Sequence, residues 1–192
     1  FPEEMREAEI TAEDVQNVAR EAGFENINVD IMSALPGQTA ESYEDTLRKV
    51  LNLQNPPEHI SAYSLIVEEG TAFGDLYERG QLQVPDEETD RLMYHRTKEM
   101  LRDAGYHRYE ISNYAKKSFA CRHNLGYWTR VNYVGFGIGA ASLLENVRFR
   151  NGDDIVAYIE NPCGCRENME KLTLQEQMEE TLFLGLRLRD GV

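Results

Sequence analysis

Cysteine is scarce in this chain: there are 3 in 192 residues, and two of them sit together in Cys163-Gly164-Cys165. That is no framework for a disulfide-stapled secreted domain, so a reducing compartment, the cytoplasm, is the expected setting. Positive charge is scarce as well. The 20 Lys and Arg face 34 Asp and Glu, for a formal net charge of −14. A general nucleic-acid binder needs a basic footprint, and this chain has none. Adhesion to anionic membranes is disfavoured for the same reason. No apolar run approaches the roughly 20 residues of a spanning helix, and no signal peptide opens the chain. Internal repeats and low-complexity segments are missing too, which excludes a solenoid.

What is present is enough apolar residue, 41 %, for a sizeable core. Thr11-Ala-Glu-Asp has the form of a capping box, and a helix through Val15, Val18 and Ala19 is predicted to end at Gly23. Ile27 to Leu35 is apolar and β-branched, stopped by Pro36-Gly37, and reads as a buried strand. Thr39 to Leu53 carries Tyr43, Leu47, Val50 and Leu51 at helical spacing. After Pro56-Pro57, His59 to Val67 is a second apolar strand. This β-α-β order implies parallel strands with a crossover helix. Next come a short helix over 72–80 and a long one from Pro85-Asp86 to Gly105, with Leu92, Met93, Thr97, Met100 and Leu101 on one face. Tyr106 to Ser112 reads as a short strand and Val147 to Arg150 as another after a turn at Glu145-Asn146. Helices over Asp153–Glu160 and Thr173–Leu188 follow. The expected class is α/β first and α+β second, with antiparallel pairing after about residue 106.

Several residues could carry chemistry. Asp30 is a carboxylate in the middle of an apolar strand, costly to bury unpaired. It serves either as a structural aspartate or as a ligand contact, for instance to a sugar hydroxyl, near the C-terminal end of a parallel strand. Leu35-Pro36-Gly37-Gln38-Thr39 reads as a βα turn whose Thr39 caps the next helix. In the second strand, alternation places Ser61 and Tyr63 on one face, Ala62 and Ser64 on the other. Gly135-Phe136-Gly137-Ile138-Gly139 does not open a helix after a first strand, so a dinucleotide fingerprint is rejected. Its glycines mark close backbone approach, to a strand or to a flat ligand. Cys121-x-His123 and Cys163-x-Cys165 have a poor spacing for a zinc-stabilised module, although the donor set would suit zinc. No Gly-x-Ser-x-Gly elbow exists for a hydrolase.

The densest stretch is Cys121-Arg122-His123-Asn124-Leu125-Gly126-Tyr127-Trp128, which holds the only Trp. On a helical turn His123 and Tyr127 would share one face, and Asn124 and Trp128 another. An imidazole beside aromatics suits haem iron and a porphyrin face. A capped turn whose aromatics plug a seam accounts for the same residues.

Five stretches then occur in order: Asn28-Val-Asp-Ile-Met-Ser-Ala-Leu-Pro-Gly-Gln-Thr39, His59-Ile-Ser-Ala-Tyr-Ser-Leu65, Tyr109-Glu-Ile-Ser-Asn-Tyr-Ala115, Cys121 to Trp128, and Gly135-Phe-Gly-Ile-Gly-Ala-Ala-Ser142. Together they resemble the HemW family, the haem-chaperone-like relatives of oxygen-independent coproporphyrinogen III oxidase within the radical SAM superfamily. The resemblance implies the C-terminal part of a radical SAM partial (β/α)6 barrel, followed by an α+β extension with a small antiparallel sheet. Residues 1–70 would be the last barrel units, 71–172 the extension, and 173–192 a helix leading to a further C-terminal domain. A start at Phe1 and an end in Arg189-Asp190-Gly191-Val192 agree with a piece of a longer protein.

By position, the resemblance implies that Asp30 and Ser64 contact S-adenosylmethionine. It implies that His123, Asn124, Tyr127 and Trp128 contact haem, with His123 the candidate ligand of the haem iron. In the whole protein it implies a [4Fe–4S] cluster, whose Cys-x₃-Cys-x₂-Cys ligands this sequence lacks, so this chain alone is expected not to cleave S-adenosylmethionine. The arginine that the family carries before the first helix has only Arg6 as a neighbour here, and Ala141 stands where many relatives have histidine. Expected partners are haem or another porphyrin, a haem-accepting protein, and a second copy joined through an exposed barrel edge. An active coproporphyrinogen oxidase remains the alternative within the superfamily.

Overall fold

A computed structural model describes residues 11–191, so Arg6 and the rest of 1–10 lie outside the described residues. The chain packs as two compact units, divided between Ala120 and Cys121.

In the first unit, α1 (Ala12–Glu21) starts where Thr11 and Asp14 form a reciprocal capping box. Its Val15 and Val18 are exposed, and only Gln16 is buried, its amide bonded to the Asn55 carbonyl. Strand β1 (Asn28–Ser33) and strand β2 (His59–Ser64) pair in parallel, joined by α2 (Ala40–Leu51). Thr39 caps α2 as the sequence predicts, in a capping box with Ser42. The short α3 (Ala72–Glu78) and the long α4 (Glu87–Asp103) follow, the latter capped by Asp86. Strands β3 (His107–Arg108) and β4 (Asn113–Ala115) complete a sheet of order β1-β2-β4-β3, in which β4 runs antiparallel to β2 and to β3.

The core lies between this sheet and helices α2 and α4. Ile31, Ile60 and Tyr114 from the sheet meet Tyr43, Leu47 and Val50 of α2 and Met93 and Leu101 of α4. The buried Tyr43 hydroxyl is satisfied by Thr97 at 2.7 Å, so a polar pair sits inside the helix layer without an orphaned group. The opposite face of the sheet is mostly polar, with Asn28, Asp30, Met32 and Tyr63 exposed on it and His59, Ser61 and Asn113 buried.

The single strand expected over Tyr106–Ser112 is in fact split. Glu110 is buried and accepts from the Ser112 amide at 3.0 Å and from the Asn113 side chain. That local turn ends β3 early and starts β4, because a side-chain acceptor offers the backbone an alternative to the ladder.

In the second unit, α5 (Arg122–Trp128) precedes the glycine-rich loop. Strands β5 (Ala141–Leu144) and β6 (Val147–Asn151) form a hairpin. Glu145 and Asn146 both have left-handed φ, 48° and 62°, the pattern of a tight type I′ turn. Then come α6 (Ile155–Glu160), β7 (Arg166–Lys171) and α7 (Leu174–Gly185). The sheet order is β5-β6-β7, all antiparallel. A Cβ on Gly135 would lie 2.3 Å from the Ala141 carbonyl oxygen. Close approach to β5 therefore explains that glycine. No helix among the described residues is long and apolar enough to cross a membrane.

Candidate functional site

In the first unit, the open face of the sheet carries the polar residues. Alternation sends Val29, Ile31 and Ser33 toward the helices, and Asn28, Asp30 and Met32 to the other side. In register with the latter stand His59, Ser61 and Tyr63 of β2, and next to them Asn113 and Ala115 of β4. Asp30 is exposed on this face and accepts from Asn28 Nδ2 at 2.7 Å. Asn28 Oδ1 accepts from Ser61 Oγ at 3.1 Å and lies 2.6 Å from His59 Nδ1. His59 Nε2 in turn is 2.8 Å from the Tyr109 hydroxyl. Burial pushes the His59 imidazole below its ordinary value, with Asp30 and Glu110 pulling it back up only in part. Asn113 is buried, and its Oδ1 has no hydrogen-bond partner. Such an orphan on a polar face is what a ligand or a water would satisfy.

Ser64 closes β2, as a strand-end residue should, but its side chain lies on the helix side. Its hydroxyl donates to both oxygens of Asp90 on α4, at 2.9 Å each. The side chains of Asp30 and Ser64 are therefore not brought together; any shared ligand would meet Ser64 through its backbone.

In the second unit, α5 presents the motif residues. His123 is exposed, and its ring packs edge-on against Tyr127, centroids 4.7 Å apart. Tyr127 packs edge-on against Tyr133 at the same distance, extending the aromatic surface by one ring. Tyr133 is the residue that sequence reasoning missed. It reaches Tyr127 because its backbone bridges to Leu143, a tertiary pairing with no local signal. Trp128 is drawn elsewhere: the Arg187 guanidinium sits 4.3 Å from its ring centroid, and α5 packs on α7. Asn124, one turn before Trp128, is half-buried. The four motif residues thus divide: His123 alone is exposed and packs with the half-buried Tyr127, while Asn124 and Trp128 are half-buried as well.

Among the described residues, no group of three or more His, Cys, Asp or Glu is placed to hold a metal ion. Among the described residues, Cys121, Cys163 and Cys165 form no disulfide and share no such group. The residues present do not fit a four-iron cluster or the tetrahedral zinc site that their spacing raised.

No protein-family model matches the chain. Curated relatives do. The chain is 42 % identical over 178 residues to the heme chaperone HemW of Bacillus subtilis, covering 91 % of this chain and 46 % of the relative. It is 40 % identical over 174 residues to HemW of Lactococcus lactis, covering 90 % of this chain and 45 % of the relative. Against HemW of Synechocystis it is 38 % identical, covering 91 % and 43 %. The chain therefore spans a little under half the length of the curated relatives it matches. A solved structure of coproporphyrinogen III oxidase from Escherichia coli, a radical SAM enzyme, superposes with a TM-score of 0.73 at 19 % identity, over 91 % of this chain and 43 % of that one. That likeness concerns the fold, and it agrees with parallel β1 and β2 followed by an antiparallel extension. The order of the five motifs, the fold and these relatives converge: over nearly its whole length the chain matches a little under half the length of each of these HemW proteins.

Proposed function

We propose that this chain is the haem-contacting part of a haem chaperone, acting in the cytoplasm and passing haem to an acceptor protein. The observation that carries this reading is the exposed imidazole of His123 packed edge-on against Tyr127, itself packed edge-on against Tyr133. A neutral imidazole is a natural axial donor to haem iron, and flat aromatic rings offer a porphyrin an apolar face. Haem would supply the iron; His123 would hold it, and Tyr127 would orient the ring from the next helical turn. Asn124 and Trp128 would act from the side of α5 that faces α7.

The open sheet face of the first unit would take S-adenosylmethionine, with Asp30 accepting from a ligand hydroxyl and the Ser64 backbone closing the strand end. The unpartnered Asn113 Oδ1 supports a polar ligand on that face. The iron–sulfur cluster of the whole protein would be held by residues other than those described.

Haemin titrated into the wild-type chain is expected to give a saturable Soret shift. His123→Ala should weaken that binding by about tenfold or more, as loss of an axial ligand does. Identical spectra and affinities for the two chains would overturn the assignment of His123.

A further inference from the structure

Asp30 reaches its position through a chain of side chains that the motif reading leaves without a role. Its only described hydrogen bond comes from Asn28 Nδ2, at 2.7 Å. An ionised carboxylate can only accept, so the Asn28 amide must turn its NH₂ toward Asp30. Its Oδ1 then faces His59 Nδ1, at 2.6 Å, and Ser61 Oγ, at 3.1 Å. A carbonyl oxygen accepts, so His59 carries its proton on Nδ1. With burial keeping the imidazole neutral, Nε2 is an acceptor and takes the Tyr109 O–H at 2.8 Å. Every tautomer and rotamer along the line is fixed by its neighbour.

We infer that Asn28, His59 and Tyr109 are positioning residues, which hold one oxygen of the Asp30 carboxylate so that the other is presented to a hydroxyl of the ligand on the open sheet face. This rests on the reading of Asp30 as an S-adenosylmethionine contact. None of the three need touch the ligand. His59 is buried, whereas Asp30 is exposed at the end of the line. A ribose diol is the matching ligand chemistry: a hydroxyl donates to the remaining carboxylate oxygen in a charge-assisted bond, whose strength depends on alignment. Without Asn28 held in place, the Asp30 carboxylate would lose its one described side-chain partner, and the cost of ordering it would fall on the binding step.

The test is calorimetric titration of S-adenosylmethionine into the chain, joined to long-range ¹H–¹⁵N correlation of the His59 ring. The wild type should bind, with His59 protonated on Nδ1. His59→Phe keeps the ring volume but removes both hydrogen bonds, and binding should weaken by about tenfold, the scale of one hydrogen bond to a charged group. His59→Gln restores a donor to Asn28 and should recover most of the loss; a purely space-filling role would give the opposite order. Should His59→Phe unfold the chain, Tyr109→Phe, which trims only the outer hydroxyl, replaces it and should shift the His59 ring nitrogens and weaken binding. Wild-type binding that both variants match, or a His59 proton on Nε2, overturns the inference alone. No binding by any chain, the wild type included, overturns the assignment of Asp30 and the inference with it.

Discussion

Glu180 shows what one carboxylate carries in the second unit. It accepts from Arg130 Nε at 2.7 Å and pairs with Arg148, and its side chain is 11 % exposed. Burial pushes its carboxyl up, but the hydrogen bonds from Arg148 and Arg130 outweigh this and hold it below the usual carboxylate range. A depressed folded-state value means that the carboxylate stabilises the fold fully above its unfolded value of about 4.3, and that this contribution is lost as pH falls through the lower folded value. Glu180→Gln removes the charge and leaves two guanidiniums facing each other. It should cost about 3 kcal/mol at neutral pH, the low end for breaking a buried pair. The difference between the two chains should vanish in strong acid. Urea unfolding followed by the fluorescence of Trp128, which lies in this unit, measures it; equal midpoints at neutral pH would contradict the role given to the network. At this scale the sequence was legible where spacing is local. His123 and Tyr127 could be paired from a four-residue step along a helix. The Arg187–Trp128 contact could not, because a cation–π pair between α5 and the distant turn after α7 leaves no periodic trace.

Elements were legible where they announce themselves with caps or turns. Thr11, Thr39, Asp86 and Thr173 each cap the helix expected after them. Strand β7 was missed because all six of its residues are exposed, so its sequence Arg-Glu-Asn-Met-Glu-Lys lacks the apolar alternation that marks a strand. The pairing with β6 alone makes it one. Strand β1 has the converse feature: its pattern was plain, and among the described residues it has a neighbour on one side only. The carbonyls of Ile27 and Ser33 accept from β2 residues or their successors, at 3.2 and 2.9 Å, so alternation turns the backbone of Asn28, Asp30 and Met32 outward. An edge of this kind recruits another chain. We propose that two copies of this chain associate through it. Sedimentation should show concentration-dependent association, weakened by Met32→Pro, which removes one outward N–H without touching the ladder to β2. A clean monomer at high concentration would count against this.

At the scale of the molecule, the half-parallel, half-antiparallel character followed from the β-α-β opening and the later short turns. The expected boundary at residue 70 came from a change of pattern there, whereas compact packing divides the chain after Ala120. Strand β4 accounts for part of that difference: it returns to pair with β2, so residues beyond 106 build onto the first sheet, a long-range contact that no local window reveals. The site residues inherit the same limit. The resemblance assigned Asp30 of β1 and Ser64 of β2 to one ligand, but only pairing and packing show their side chains on opposite faces of the sheet. The central claim is that haem meets this chain on α5. It is tested most directly by titrating gallium protoporphyrin IX, a diamagnetic haem analogue, into the ¹⁵N-labelled chain. Saturable shifts should concentrate on Arg122–Trp128 and Tyr133; saturable shifts centred instead on Asp30 and the open sheet face, with α5 unmoved, would contradict it.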